Sequence, residues 1–441
     1  MSRARRIVAV ADTDSYVKWA AALVGALEGE WDASLLVLET PLVVSDAQLA
    51  TALVGSGLPA DRVTRVTWEQ LVPTLRRMGA DVVLLAGRGP LVRVLAREIA
   101  DMAPRPVMVT GLPGISIPAT RKAIAYRTQC DLFVLHSRRE CRDFAALARE
   151  KRMPQRFGLA SLPFARNGVV AGPRGTDLVF AAQAKVPAER ADRLRVAEVL
   201  RRAALADPAR RVVVKLRAAA GEQQTHAEQD SYPDLLATLG ELPPNLVVST
   251  ASMAHALATA EGLVTVSSTA AIEAVGRGIP VIALDTFGVG PELINEVLAD
   301  AGLLAGEADV VARRFRHPEP EWLDDNYFHD PAEDDWTVRA ARLIDARAAG
   351  LLTPRAPLAR RGGVLRDVWE RKSVLGRQDR SIQGFVALAV GVPARAAVRW
   401  VRRFATVREP AIAWGAVTAG SGRLDEAAPR ALGDRHEEGT R

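Results

Sequence analysis

The sequence predicts an α/β protein of two Rossmann-like domains facing a cleft, followed by a basic C-terminal extension. Short Val/Ile/Leu/Ala runs alternate with longer amphipathic stretches, which argues for parallel strands separated by helices. The alternation breaks at 162–176 (LPFARNGVVAGPRGT) and then resumes, as expected of an interdomain connection rich in Gly and Pro. At 441 residues the chain is also too long for one simple core. The expected division is 1–165 for the first domain, 166–176 for the linker, 177–350 for the second domain with its return helix, and 351–441 for a basic, partly helical or disordered tail.

In the first domain, strands are expected at 7–11 (IVAVA), 34–38, 63–66, 81–86 (DVVLLA), 106–110 (PVMVT) and 132–135 (LFVL). Helices are expected at 19–27, up to Met78, and at 138–151. In the second domain the expected strands are 178–181, 212–216, 246–248, 263–266 and 281–284, with a strong helix at 188–206. An acidic, aromatic run (EPEWLDDNYFHDPAEDDW) then leads into an amphipathic helix at 337–349.

Composition narrows the class. Hydrophobic residues make up 49% and aromatics 5%, so the interior is aliphatic. Lysine stands only at 18, 122, 151, 185, 215 and 372, so nearly all positive charge is arginine. Cys130 and Cys141 lack CxxC spacing and read as reduced structural thiols of a cytoplasmic protein. No apolar run reaches the roughly 18 residues that span a bilayer, and MSRARRIVAVAD is no secretory leader. Between Arg355 and Glu409 thirteen Lys or Arg face four acids. Such a tail either lies on an anionic membrane at its inner face or is a solvated extension. Nucleic acid is not expected, because neither aromatic interleaving nor a recognised module accompanies the charge.

The most informative stretch is 263–284, LVTVSSTAAIEAVGRGIPVIAL: a buried strand, a hydroxyl-rich turn, a helix carrying Glu273, a Gly278–Pro280 break and a second strand. It is either a phosphate-holding helix entrance or an ordinary capped crossover. It resembles the donor-nucleotide motif of GT-B glycosyltransferases, especially bacterial capsule-type and sialyltransferase-like enzymes. The opening ADTDSYVKWA is similar to that of an uncharacterised glycosyltransferase family. The resemblance covers residues 1 to about 350. It implies transfer from a nucleotide-sugar donor to a glycan or lipid-linked acceptor in cell-surface polysaccharide synthesis, with no cofactor and no metal. It further implies that Ser267, Ser268 and Thr269 approach the donor phosphate and that Glu273 meets the ribose or nearby backbone. Related capsule enzymes often carry His-Pro where this chain has Leu216-Arg217, so a CMP-sugar donor is not indicated. Two other functions share the architecture: a nucleotide-sugar epimerase, or a non-catalytic transferase-like binding module.

The other candidates sit at expected strand ends. Asp12 and Asp14 follow the first strand, where paired carboxylates can raise each other's pKa and serve as a general base, or simply form a capped Asx turn. Gly114, in Gly111-Leu112-Pro113-Gly114, offers backbone to the acceptor cleft or forms a plain turn. His136 contacts substrate or is a hydrogen-bonded scaffold. Lys215 and Arg217 can bind diphosphate or carboxylate. His226 is a further loop candidate, and the acids at 324–335 lack metal-ligand spacing and read as a solvated loop.

Overall fold

The structure is a computed structural model that describes residues 3–166, 175–184, 186–216, 230–358, 362–387 and 389. Met1–Ala389 form one compact unit, and the second unit, Val390–Arg441, lies outside the described residues.

Two parallel sheets organise that unit. The first contains β1 (Arg5–Ala11), β2 (Trp31–Leu38), β3 (Val63–Val66), β4 (Val82–Ala86), β5 (Val107–Gly111), β6 (Leu132–Leu135) and β7 (Phe157–Leu159), in the order β3-β2-β1-β4-β5-β6-β7. The second contains β8 (Asp177–Ala181), β9 (Val212–Lys215), β10 (Leu246–Ser249), β11 (Ala260–Thr265), β12 (Val281–Leu284) and β13 (Leu304–Ala305), in the order β10-β9-β8-β11-β12-β13. Counted from its own first strand, the second sheet runs 3-2-1-4-5-6, the doubly wound order, and the first runs the same way with a seventh strand added at its edge.

The strand sequences explain their place. Along β1, Ile7, Ala9 and Ala11 enter one core while Val8 and Val10 enter the core on the opposite face. A strand covered on both faces reads as a continuous apolar run rather than an alternating one. Val179, Leu263 and Val281 of the second sheet belong to the same core as Ile7 and Ala9, so one apolar layer takes in a face of each sheet.

Several elements depart from the sequence expectation. The first helix is Asp14–Gly25, five residues earlier than expected, so Asp14 stands in a helical first turn directly after β1. β7 and β13 were not anticipated, since three- and two-residue strands carry almost no periodic signal. The helix Trp336–Ala348 returns to the first sheet, packing on β5, β6 and β7, with Arg347 Nη2 3.0 Å from Asp81 Oδ1. The helix Gly363–Leu375 lies within the stretch read as tail, and it packs on the helix Gly89–Ala100 of the first domain. The acidic run is largely solvent-exposed, as expected, and also ion-paired: Asp324 and Glu333 pair with Arg138, and Asp325 pairs with Arg142. These arginines lie on one stretch of the helix Arg138–Glu150, a basic surface that the acids neutralise.

Candidate active site

A doubly wound sheet opens a crevice at the carboxyl ends of the two strands where its winding reverses. In the first sheet these are β1 and β4; in the second, β8 and β11.

At the first crevice β1 delivers Asp12 and Thr13, and β4 delivers Gly87 and Arg88. Asp12 is fully buried. Its Oδ2 lies 3.4 Å from Arg88 Nη2 and 3.5 Å from the Thr40 hydroxyl. Its Oδ1, Thr13 Oγ1 and Arg88 Nε are buried without a hydrogen-bond partner among the described residues. Buried polar atoms are normally satisfied, so three orphans in one crevice mark it as more than packing. Burial raises the Asp12 pKa above the ordinary carboxylate value, and Arg88 partly offsets that rise. Asp14 is only half-buried, and Ser15 Oγ donates to its Oδ1 at 3.3 Å. Residues four apart share a helix face, so Asp14 lies on the same side as Lys18.

Lys18 spans the cleft: its Nζ donates to Glu273 Oε1 of the second domain at 3.2 Å. One turn before Glu273, Thr269 meets the first domain at Gly114. A Cβ built on Gly114 would stand 2.7 Å from Thr269 Oγ1, so only glycine permits this approach. The Thr269–Glu273 face of the helix Ala270–Gly276 is therefore the face turned to the first domain. Glu273 engages the Lys18 ammonium there through its Oε1.

At the second crevice Gln183, just past β8, joins the two strand ends. Its Oε1 accepts from the Ser267 N–H at 3.0 Å, and its Nε2 donates to Ser267 Oγ at 3.1 Å. Arg193, buried beneath the Tyr232 ring, donates to the Gln183 carbonyl at 2.9 Å and holds that loop in place. Ser268 Oγ accepts from the Ala270 N–H at 3.2 Å, while Thr269 makes no side-chain cap. Of the three hydroxyls, Ser267 is thus held by Gln183 and Ser268 by the helix start, whereas Thr269 Oγ1 has no hydrogen bond among the described residues. Lys215, at the end of β9 beside β8, is buried and donates to the Leu216 carbonyl. Arg217 and His226 lie outside the described residues.

The sequence model described as "Putative glycosyltransferase (DUF6716)" matches residues 7–343, more than half of the chain. The chain belongs to this glycosyltransferase family. Among solved structures, S. aureus MnaA with UDP is similar at 12% identity and TM-score 0.51, over 81% of this chain and 100% of that one. A UDP-N-acetylglucosamine 2-epimerase from Listeria monocytogenes is similar at 12% identity and TM-score 0.51, over 82% and 100%. The pneumococcal O-GlcNAc transferase GtfA, with UDP and GlcNAc, aligns at 9% identity and TM-score 0.47, over 80% and 96%. No curated protein matches the sequence. The fold is that of GT-B proteins, with two parallel-sheet domains, and the chain is an enzyme by its family.

Within this glycosyltransferase fold His136 is scaffold. The Trp19 indole N–H donates to its Nε2 at 2.7 Å, which leaves the proton on Nδ1 to donate to the Ala160 carbonyl at 2.8 Å. Both nitrogens are occupied, the ring is fully buried, and burial lowers its pKa to about 4. Glu140 was not singled out from sequence, yet it organises the Gly114 loop. One oxygen accepts from the Ser116 N–H and the Tyr327 hydroxyl, both at 2.8 Å; the other accepts from the His136 N–H at 2.9 Å. Burial pushes Glu140 up to about 7. Arg88, Thr40 and Gln183 were likewise missed. Each sits one to three residues past a strand end, the only sequence signal that could have found them.

Proposed function

We propose that the protein transfers a glycosyl group from a nucleotide-sugar donor to a glycan or lipid-linked acceptor of the cell surface, working in the cytoplasm or at the inner face of the membrane. The observation that carries this reading is the pair of facing crevices: an acidic one in the first domain and a hydroxyl-rich one in the second, brought together by Lys18–Glu273 and Gly114–Thr269. Asp14 is the proposed general base. It is the more accessible of the two carboxylates, and it lies on the helix face that reaches the second domain through Lys18. An acceptor hydroxyl placed there would lose its proton to Asp14 as it attacks the anomeric carbon, while the nucleoside phosphate leaves on the other side of the cleft. Asp12, fully buried, keeps the Arg88 guanidinium in position at the acceptor crevice. Ser267, Ser268, Thr269 and Lys215, with Arg217 and Glu273, are proposed to hold the donor, and Gly114 lets the acceptor loop close against it. No metal is required by this scheme.

UDP-linked donors are the first to test, since the S. aureus neighbour holds UDP. A thermal-shift series against UDP-, GDP-, CMP-, CDP- and dTDP-sugars should give one clear stabilisation, about 2.7 kcal/mol at 100 times the dissociation constant. Asp14→Asn should keep that shift and lose turnover. No shift with any nucleotide would favour the non-catalytic module. Product formed from the donor without any acceptor would favour the epimerase.

A further inference from the structure

The stretch from Gly363 onward lies beyond the family match, and it is built in an unusual way. The helix Gly363–Leu375 is anchored on the first domain: Glu370 lies 3.3 Å from Arg93 and 3.5 Å from Arg97, Asp367 lies 2.8 Å from Arg97, and Leu375 is fully buried in the core behind β1. A second clamp follows. Asp379, nearly fully buried, accepts from Arg371 Nε at 3.0 Å and from the Ser381 N–H at 3.0 Å, and Lys372 Nζ donates to the Asp379 carbonyl at 2.6 Å. Ser381 Oγ in turn accepts from the Gly384 N–H at 3.0 Å, which starts the helical segment 382–387.

This clamp holds apolar side chains out in solvent. Ile382 is 82% exposed, Phe385 58%, with one face of its ring on the Lys372 ammonium, and Val386 54%, at the spacing of one helix face; Val364 and Leu365 are exposed at the start of the preceding helix. The charge around them is one-sided. The acids Asp367, Glu370 and Asp379 are engaged by Arg97, Arg93 and Arg371. Arg366, Arg377 and Arg380 are exposed and have no side-chain partner among the described residues. Further along, the sequence adds Arg395, Arg399, Arg402, Arg403 and Arg408. The anchored segment reaches the neighbourhood of the acceptor crevice through Gly376. A Cβ on Gly376 would come within 2.8 Å of Pro41, and the residue before Pro41 is Thr40, whose hydroxyl reaches Asp12.

We propose that the apolar face of Ile382, Phe385 and Val386, together with the exposed Arg366, Arg377 and Arg380 of the same anchored segment, docks on an anionic lipid bilayer. Apolar side chains enter the headgroup boundary and the guanidinium groups meet lipid phosphates, the combination that holds a protein on a membrane surface. No helix among the described residues is long and apolar enough to cross a membrane, so the contact is interfacial. Resting on the glycosyltransferase reading, the position beside Thr40 and Asp12 further implies an acceptor presented from that bilayer.

The test uses the full chain and vesicles of phosphatidylcholine alone or mixed with phosphatidylglycerol. Cosedimentation should occur with the anionic vesicles and weaken steeply with added salt. Ile382→Ser/Phe385→Ser/Val386→Ser should reduce it at least tenfold, and Arg366→Gln/Arg377→Gln/Arg380→Gln by about a hundredfold while removing most of the salt dependence. Nucleotide thermal shift should match the parent in both variants; melting temperature should match in the arginine variant and fall slightly in the apolar one, where the Phe385 ring gives up its contact with the Lys372 ammonium. Equal binding to neutral and anionic vesicles, or unchanged binding by both variants, would overturn the proposal. So would a concentration-dependent dimer that the Ile/Phe/Val variant makes monomeric, since the surface would then cover a second copy. Vesicle binding is read without turnover, so failure of the glycosyltransferase reading leaves this result standing, and the reverse.

Discussion

The two crevices share one strand order and differ in almost everything else. The first, at β1 and β4, holds a buried carboxylate, a guanidinium and three unsatisfied polar atoms. The second, at β8 and β11, holds Gln183 and Ser267 in a neutral and mutually satisfied pair. The contrast teaches that the fold supplies only a location, while the side chains at the strand ends decide what it is good for. A charged crevice with orphaned atoms suits proton transfer; a rigid neutral one beside the Thr269 hydroxyl suits holding a ligand.

That contrast can be broken experimentally. If the first crevice carries the chemistry, Asp14→Asn should lower kcat by about 10²–10⁴ with the nucleotide thermal shift retained. Loss of binding with kcat intact would reverse the assignment of the two crevices. Next in size is the support of the Gly114 loop. Glu140→Ala leaves the Ser116 and His136 N–H groups and the Tyr327 hydroxyl without their acceptor, and should destabilise the fold by about 3 kcal/mol or more in urea unfolding. A cost below about 1 kcal/mol would mean that the loop is held by something else. At the second crevice, Gln183→Ala should weaken nucleotide binding roughly tenfold with kcat little changed, measured by calorimetric titration. Smallest is Lys18→Ala. Its lysine is substantially exposed, so stability should change by less than about 1 kcal/mol, although KM is expected to rise as the domains lose a contact.

The pH response sharpens the comparison further, because His136 and Glu140 both belong to the first domain and burial moves their pKa values in opposite directions. His136 sits at about 4 in the fold against an ordinary 6.5, so the unfolded chain binds the extra proton between those values. Stability from this group is therefore lost as pH falls through that window. Glu140 sits at about 7 against 4.5, so here the folded state binds the extra proton and stability falls as pH rises from 4.5 to 7. Between about pH 4.5 and 6.5 the two slopes oppose each other. Glu140→Gln should uncover the histidine slope, about 1.4 kcal/mol per pH unit, in unfolding at about pH 5 and pH 6. A flat response in that variant would mean His136 is not held neutral.

Much of the fold was legible because strands buried on both faces spell themselves out: IVAVA, DVVLLA and LVTV need no context to be read as core strands. The positions of Asp12, Asp14 and the SSTAAIEA turn followed from lying at the ends of such runs. What escaped were residues whose meaning depends on distant partners. Glu140 looks like any acid in a helical first turn until Ser116 and Tyr327 are seen donating to it. The acids 324–335 read as a solvated loop, and their ion pairs appear only when the arginines of the helix Arg138–Glu150 are placed beside them; Gln183 has no visible role until β11 brings Ser267 alongside.

Sequence alone determined the alternation of strand and helix, the division into two doubly wound halves and the placement of hydroxyl and carboxylate groups at strand ends, because these follow from local hydrophobic periodicity. Tertiary structure decided that His136 is locked as scaffold, that Glu273 meets Lys18 across the cleft, that Gly114 lies against Thr269, and that part of the expected tail packs on the first domain. Most of those contacts join residues far apart along the chain, and no local pattern encodes a distance that only the folded chain closes.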